Sequence, residues 1–125
     1  CKRLLKPNGT LWVSVTYHSI YSCGVAMLLL DYHILNDISW FKPNASPNLS
    51  CKYFTASHES LIWARKSKSA RNYFNYDAMI DGFFPNDFIK KPNTQMRSVW
   101  AISTPQAQEK VFGKHPTHKP LALLD

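Results

Sequence analysis

Residues 10–41 have the sequence TLWVSVTYHSIYSCGVAMLLLDYHILNDISWF. Residues 10–15 and 34–41 are rich in β-branched and aromatic side chains, a composition typical of β-strands. Between them, apolar side chains recur through residues 19–32 and predict a helix of about three turns, although Gly24 weakens this prediction. A strand, a helix and a second strand in succession favour an α/β sheet.

Two later segments, residues 60–65 and 97–102, are also predicted to be strands. The first of them, SLIWAR, is almost continuously apolar, as strands covered on both faces are. A mixed sheet allows it to return antiparallel to its neighbour. Residues 66–96, between the two, are basic and aromatic without a regular period, and we interpret them as an insertion that projects from the sheet.

Both ends of the chain resemble interrupted elements. Residues 115–120, HPTHKP, form a proline-bounded polar turn, and the following LALLD predicts the first turn of a helix. Residues 2–7 are typical of a helix end followed by a turn, and the first residue is Cys1 rather than Met. We therefore expect the chain to be the middle part of a larger domain.

Composition limits the classes of function. Fifteen Lys and Arg against eight Asp and Glu give a net charge of +7. A polyanionic partner such as nucleic acid and a basic domain without such a partner explain this charge about equally well. No apolar run approaches the ~20 residues that span a bilayer, so no membrane partner is expected. Three distant cysteines and five histidines without metal-ligand spacing predict reduced thiols in the cytoplasm and no metal.

The ends of the first two predicted strands are candidate binding residues, because ligands of open α/β sheets bind at the carboxyl ends of strands. Tyr17 and His18 follow the first strand, and Trp40 and Lys42 lie at the end of the second. These polar and aromatic side chains suit a pocket for a flat ring. Core packing alone explains Trp40 at least as well.

His58 and Glu59, just before the third strand, are adjacent residues of the kind used in acid–base chemistry. Neighbours on a strand point to opposite faces, so the two side chains would not share one substrate. We favour a fixed internal hydrogen bond for one of them.

Residues 66–97 interleave basic and aromatic side chains, as phosphate-binding surfaces with stacking platforms do. A long loop in a small domain is more often functional than structural, although a merely solvated basic loop is the alternative. The sequence contains neither a glycine-rich phosphate loop nor a serine nucleophile elbow.

Five segments occur in an order that resembles one family. They are LLKPNGTLWV at 4–13, ISWFKPN at 38–44, FTASHESLIW at 54–63, RSVW at 97–100 and HPTHKP at 115–120. Together they resemble the bacterial DNA amino-methyltransferases of restriction–modification systems, which modify adenine N6 or cytosine N4. The resemblance is greatest to the permuted group, whose catalytic half precedes its cofactor half, and it covers nearly the whole chain.

The resemblance implies an α/β, Rossmann-like S-adenosylmethionine-dependent methyltransferase fold with a mixed sheet, incomplete in this chain. The sheet would be mostly parallel with one antiparallel strand. Residues 1–65 would be the central part of the catalytic domain and residues 66–96 a basic aromatic DNA-recognition insertion. Residues 97–125 would be the return strand and the start of the cofactor-binding helix.

The resemblance also implies the reaction. S-adenosylmethionine would donate a methyl group to N6 of an adenine flipped out of duplex DNA. Cytosine N4 is an alternative target, and a non-catalytic remnant that at most binds DNA is another reading. The family's Asp-Pro-Pro-Tyr-like catalytic motif and Phe-x-Gly-x-Gly-like cofactor loop are expected outside this chain, so no catalytic residue is assigned. Double-stranded DNA and a cognate restriction endonuclease are the implied partners.

Site residues carry over only where the motifs match. The turn at 115–120 corresponds to the family's His-Pro-Thr-x-Lys-Pro turn beside the methionine end of the cofactor, with His118 where Gln is usual. The cofactor assignments are His115, Pro116, Thr117, Lys119 and Pro120. The target-base assignments are Tyr17, His18, Trp40 and Lys42. The assigned DNA contacts, mainly to phosphate, are Arg65, Lys66, Lys68, Arg71, Lys90, Lys91 and Arg97.

Overall fold

The computed structural model of the protein describes residues 1–88, 90–113, 115 and 117–125. As the composition of residues 10–41 predicts, the first elements are a strand, a helix and a strand. In chain order the helices and strands are β1 (Thr10–Val15), α1 (Ile20–Leu29), β2 (His33–Phe41), β3 (His58–Arg65), α2 (Tyr76–Asp81) and β4 (Val99–Ala101). Two short 3-10 turns follow β4, at Ala107–Glu109 and Leu121–Leu123.

The four strands form one mixed sheet in the order β1-β3-β2-β4. β3 lies between β1 and β2 and pairs antiparallel with both, so β1 and β2 run in the same direction without pairing with each other. β4 is parallel to β2. Three strands are therefore parallel and one is antiparallel, which confirms the predicted α/β class and the antiparallel direction predicted for residues 60–65.

β3 contributes to a core on each side of the sheet, because successive side chains of a strand point to opposite faces. Ile62 and Ala64 pack with Met27 of α1 in one apolar cluster. Leu61 packs on the other face with Trp40 in a second cluster. The almost continuous apolar sequence of β3 thus reflects burial on both faces.

The helix α1 ends earlier than the predicted range of residues 19–32. Asp31 adopts a left-handed backbone conformation with φ of 56°. The backbone N–H of Tyr32 then donates to the carbonyl oxygen of Met27 at 2.9 Å, a hydrogen bond typical of helix C-termini. The helix therefore stops at Leu29.

The segment between β3 and β4 contains a short helix, α2, that its sequence pattern does not predict. The Asn75 side chain caps this helix by accepting a backbone hydrogen bond of 3.1 Å from its first turn. The ring of Phe74 lies 5.8 Å from that of Trp63 in β3, and the backbone N–H of Ala101 donates to the carbonyl oxygen of Asn86 at 2.8 Å. The segment therefore packs against the sheet near its start and near its end, instead of only projecting from it.

Other boundaries also differ from those predicted, including those of β4, which spans Val99–Ala101 instead of residues 97–102. β3 begins at His58, two residues earlier than predicted, because His58 still pairs with Phe41 in the ladder. After the HPTHKP turn, Leu121–Leu123 forms a 3-10 turn rather than the first turn of an α-helix. The bond from the backbone N–H of Leu123 to the carbonyl oxygen of Pro120 spans three residues, as in a 3-10 helix.

Candidate functional site

The carboxyl ends of β1 and β2 lie at the same edge of the sheet. Val15, the last residue of β1, pairs with Ser60, and Phe41, the last residue of β2, pairs with His58. The start of β3 thus lies between these two strand ends. This is the edge at which ligands bind in open α/β sheets.

Tyr17 and His18 follow β1 at this edge. Their rings contact each other, with centroids 4.0 Å apart and planes inclined by 34°. Both side chains are exposed, and Tyr17 has about half of its surface accessible, at 49%. Tyr17 therefore presents an aromatic ring to solvent beside the end of β1.

Glu59, the second residue of β3, is the centre of a charged cluster at the same edge. Its Oε1 accepts a hydrogen bond of 2.6 Å from Nζ of Lys42, and its Oε2 accepts one from Nζ of Lys119. Glu59 is itself buried, with 8% of its surface exposed. The cluster thus brings a residue of the HPTHKP turn to the end of β2.

Trp40 lies beneath this cluster and is almost fully buried, at 1% exposure. The Nζ atoms of Lys42 and Lys119 lie 4.9 and 5.3 Å from the centroid of its ring. Cations over the face of a tryptophan are attracted by its quadrupole. The indole N–H donates to the carbonyl oxygen of Ile102 at 2.7 Å, so the ring is fixed and offers no free face to a ligand in this conformation.

The two lysines control the ionisation of Glu59. Burial of the carboxyl acts to raise its pKa, but the hydrogen bonds from Lys119 and Lys42 and the charges of both lysines outweigh it and lower the pKa below its ordinary value. Glu59 is therefore a carboxylate at neutral pH. The fixed internal hydrogen bond predicted for His58 or Glu59 is confirmed for Glu59, while His58 points outward and is exposed.

The HPTHKP turn is held by local and long-range contacts. The backbone N–H of Thr117 donates to Nδ1 of His115 at 3.2 Å, and the Thr117 hydroxyl lies 3.1 Å from the same atom. Pro120 is buried, and Lys119 is bound to Glu59. Pro116, also assigned to the cofactor, lies outside the described residues. Thr117 is exposed.

The predicted DNA contacts fall into two groups. The first group, Arg65, Lys66, Lys68 and Arg71, lies at the carboxyl end of β3, opposite the edge that carries Glu59. An open groove of about 430 Å³ in this region is lined by Lys66 and Arg71 together with Asn8 of the preceding turn. Nζ of Lys66 donates to the carbonyl oxygen of Leu5 at 2.7 Å and ties the two loops together.

The second group, Lys90, Lys91 and Arg97, lies between α2 and β4. Arg97 is bound by the buried carboxylate of Asp87, with 2.7 Å between Nη2 and Oδ1. Lys90 and Lys91 line a second open groove, of about 650 Å³, with the exposed rings of Phe83 and Phe88 on its surface. The structure therefore places these basic residues in two groups, whereas the sequence suggests one continuous surface.

Sequence reasoning missed the central position of Glu59. A signal was present, because Glu59 alternates along β3 with Leu61 and Trp63 and so shares their buried face. An acid on an apolar face requires cationic partners. Nothing in the sequence identifies Lys42 and Lys119 as those partners, since they lie 17 and 60 residues away along the chain.

Sequence reasoning also missed an aromatic cluster on this face of the sheet. The rings of Trp12 and Trp63 stack with centroids 5.2 Å apart, and the ring centroid of Trp100 lies 6.4 Å from that of Trp12.

Among the described residues, no group of His, Cys, Asp and Glu could hold a metal ion. Within the same residues, no helix has the length and apolar character to cross a membrane.

Comparison with known proteins identifies relatives over the whole chain. A family model described as DNA methylase matches residues 1–125. The Type II methyltransferase M2.DpnII of Streptococcus pneumoniae is 50% identical over 125 residues, which cover 99% of this chain and 44% of that protein. M2.MboI of Moraxella bovis, also a Type II methyltransferase, is 46% identical over 98% of this chain and 42% of its own length. The chain thus spans less than half the length of these curated relatives.

Solved structures show the same relationship. The crystal structure of the M1.HpyAVI–SAM complex superposes with a TM-score of 0.67 and 26% identity, covering 97% of this chain and 51% of that chain. A crystal structure of M1.HpyAVI gives a TM-score of 0.56 at 20% identity over 97% of this chain and 48% of that one, and it supports the fold alone. The resemblance inferred from the five ordered segments and the incomplete Rossmann-like sheet are therefore both confirmed. The chain belongs to the DNA methylase family.

Proposed function

We propose that the protein carrying this chain is a DNA methyltransferase that transfers a methyl group from S-adenosylmethionine to N6 of adenine in duplex DNA. The relatives are Type II methyltransferases, and one solved relative is a complex with SAM. The observation that carries the proposal is the contact between Lys119 and Glu59, which holds the HPTHKP turn at the edge where β1 and β2 end.

The residues at this edge fit a zwitterionic cofactor. The hydroxyl of the exposed Thr117 and the ammonium of Lys119 suit its carboxylate, and the cluster of two lysines and one carboxylate carries a net positive charge. Oγ of Ser14, near the end of β1, is buried without a hydrogen-bond partner in the part of the chain that the structure describes. His115 and Pro120 would shape the turn, and bound S-adenosylmethionine would supply the reactive methyl group on its sulfonium.

The target base would lie beside the end of β1. The exposed ring of Tyr17 suits stacking on an adenine, with His18 packed against it. Burial of Trp40 favours a supporting role for this ring, and the bond of Lys42 to Glu59 favours the same for Lys42. The proposed border of the base pocket therefore consists of Tyr17, His18, Trp40 and Lys42.

The two basic groups would bind DNA phosphates, with residues 66–96 as the recognition insertion. Double-stranded DNA is then the substrate, and a cognate restriction endonuclease acting on the same sequence is the proposed partner in a bacterial cytoplasm. Phosphate contacts of this kind position the duplex without reading its sequence.

A transfer assay tests this function. The full-length protein would be incubated with methyl-labelled S-adenosylmethionine and duplex DNA, and the DNA digested to nucleosides for mass spectrometry. N6-methyladenine is the expected product. N4-methylcytosine would instead support the alternative target, and DNA binding without any methylated nucleoside would support a non-catalytic remnant.

A further inference from the structure

The carboxylate of Glu59 connects two borders of the proposed site that lie far apart in the chain. Lys42 follows β2, beside the proposed base pocket, and Lys119 belongs to the turn proposed to hold the cofactor. Each lysine donates to a different oxygen of Glu59. One buried side chain therefore links the cofactor turn to the base border.

Glu59 is poorly placed to react with a substrate itself. Both of its oxygens already accept hydrogen bonds from lysines, and only 8% of its surface is exposed. A general base must lie within hydrogen-bond reach of the proton that it removes. Any effect of Glu59 on the reaction is therefore expected to act through Lys42 and Lys119.

The charges indicate what Glu59 does for these lysines. Both ammonium groups lie over the ring of Trp40, within 5.3 Å of its centroid. Without a carboxylate between them, two like charges would remain close together in a partly buried place, which is strongly unfavourable. Lys119 lies on a short turn and is the more exposed of the two lysines, so it is the one expected to move away.

We propose that Glu59 is a positioning residue for methyl transfer, which fixes Lys119 and Lys42 against Trp40 and thereby couples the cofactor turn to the base border. This inference rests on the proposed function, because it takes the turn to hold S-adenosylmethionine. It adds a residue that touches neither the cofactor nor the base.

The first test is Glu59→Gln in the full-length protein, since glutamine keeps the size of the side chain and removes its charge. Titration calorimetry would measure the dissociation constant for S-adenosylmethionine. We expect binding to weaken by roughly tenfold, the size of coupling seen between contacting residues, while kcat at saturating cofactor and DNA falls less. A dissociation constant within twofold of wild type, in a folded variant, overturns the proposal.

Asp87→Asn is the matched control for a general loss of stability. Asp87 is also a buried carboxylate, at 4% exposure, and it binds a different cation, Arg97. We expect this variant to unfold at a lower temperature than wild type while keeping its affinity for S-adenosylmethionine. If it weakens cofactor binding as much as Glu59→Gln does, the effect is not specific to the cluster and the proposal fails.

A double-mutant cycle separates the inference from the proposed function. If Glu59 acts through Lys119, then Glu59→Gln combined with Lys119→Met weakens cofactor binding about as much as Lys119→Met alone. If the double variant instead weakens cofactor binding by the product of the two separate effects, the two residues act independently. That result overturns the inference and leaves the proposed function intact. If the wild-type protein binds no S-adenosylmethionine, the proposed function itself fails, and the same cycle in thermal unfolding shows whether the structural link exists.

Discussion

Glu59 is a buried acid whose position depends on partners supplied by distant segments. The alternation of side chains along β3 is readable from the sequence and places Glu59 on the face of Leu61 and Trp63. Its partners are not readable, because the approach of Lys42 and Lys119 is determined by tertiary folding. For the same reason the sequence could not decide between a pocket role and core packing for Trp40, whose ring the structure buries under both lysines.

The lowered pKa of Glu59 predicts an acid-dependent loss of stability. A carboxyl whose pKa is lower in the folded than in the unfolded protein stabilises the fold above the unfolded value, and this contribution disappears as the pH falls through the folded value. We therefore expect the free energy of unfolding to decrease as the pH falls from about 4.5, the ordinary value, downward. Urea denaturation of the full-length protein at a series of pH values measures this dependence.

Glu59→Gln is the matched variant for the acid dependence. It should be less stable than wild type at neutral pH by about 2–4 kcal/mol, because two lysines lose their buried partner. The difference between the two proteins should shrink on acidification. An equal difference at every pH would contradict the assignment of the acid dependence to Glu59.

At the scale of elements, periodicity and composition predict the regular parts of the fold well. β1 has the predicted bounds, and β2 differs by one residue at its start. The helix α2 could not be predicted, because six residues are too few to establish a helical period, and it depends on the cap from Asn75. The irregular pairing of β2 with β3 between Ile34 and Asn36 is likewise a property of the assembled sheet.

The glycine in α1 provides an element-scale prediction. A Cβ on Gly24 would meet Cδ1 of Ile62 at 3.9 Å, an ordinary van der Waals contact. Alanine has a higher helix propensity than glycine, so Gly24→Ala should stabilise the protein by roughly 0.5–1 kcal/mol. Thermal unfolding measures the change.

Gly82→Ala is the contrasting variant, since a Cβ there would lie 2.5 Å from the carbonyl oxygen of Ala78. It should destabilise the protein through a clash with backbone. Destabilisation by Gly24→Ala would mean that α1 packs more closely on β3 than the structure shows.

At the scale of the whole molecule, much apolar surface is exposed. The helix α1 is apolar around its circumference, with Val25, Leu28 and Leu29 exposed on its outer side, and such helices are normally buried. We expect these 125 residues, expressed alone, to bind a dye specific for exposed apolar surface and to lack a sharp melt in near-UV circular dichroism. A cooperative transition with strong near-UV signal would contradict this expectation.

The separation of the two basic groups gives a prediction for DNA binding. Each phosphate contact adds about 0.9 to the slope of log affinity against log salt concentration. We expect Lys68→Ala combined with Arg71→Ala to lower this slope by about 2 in the full-length protein, and Lys91→Ala to lower it by about 1. Fluorescence anisotropy with a labelled duplex at several salt concentrations measures the slopes.

Lys110→Ala is the control, because Lys110 belongs to neither basic group and its loss removes one positive charge, as Lys91→Ala does. Its slope should equal that of wild type. If the variant with both Lys68→Ala and Arg71→Ala keeps the wild-type slope, the groove at the carboxyl end of β3 does not belong to the DNA-binding surface. Only the group beside β4 would then remain.

The insertion of β3 between β1 and β2 has a consequence for the order of folding. The neighbours Thr10 and Arg65 come from distant parts of the chain, and in the part of the chain that the structure describes β3 is the strand that pairs with β1. Within the described residues β1 and β2 are therefore joined only through β3, and closing such long loops makes folding slow. Because β3 pairs with both β1 and β2, we expect these two strands to be joined in one sheet only after residues 58–65 have been synthesised.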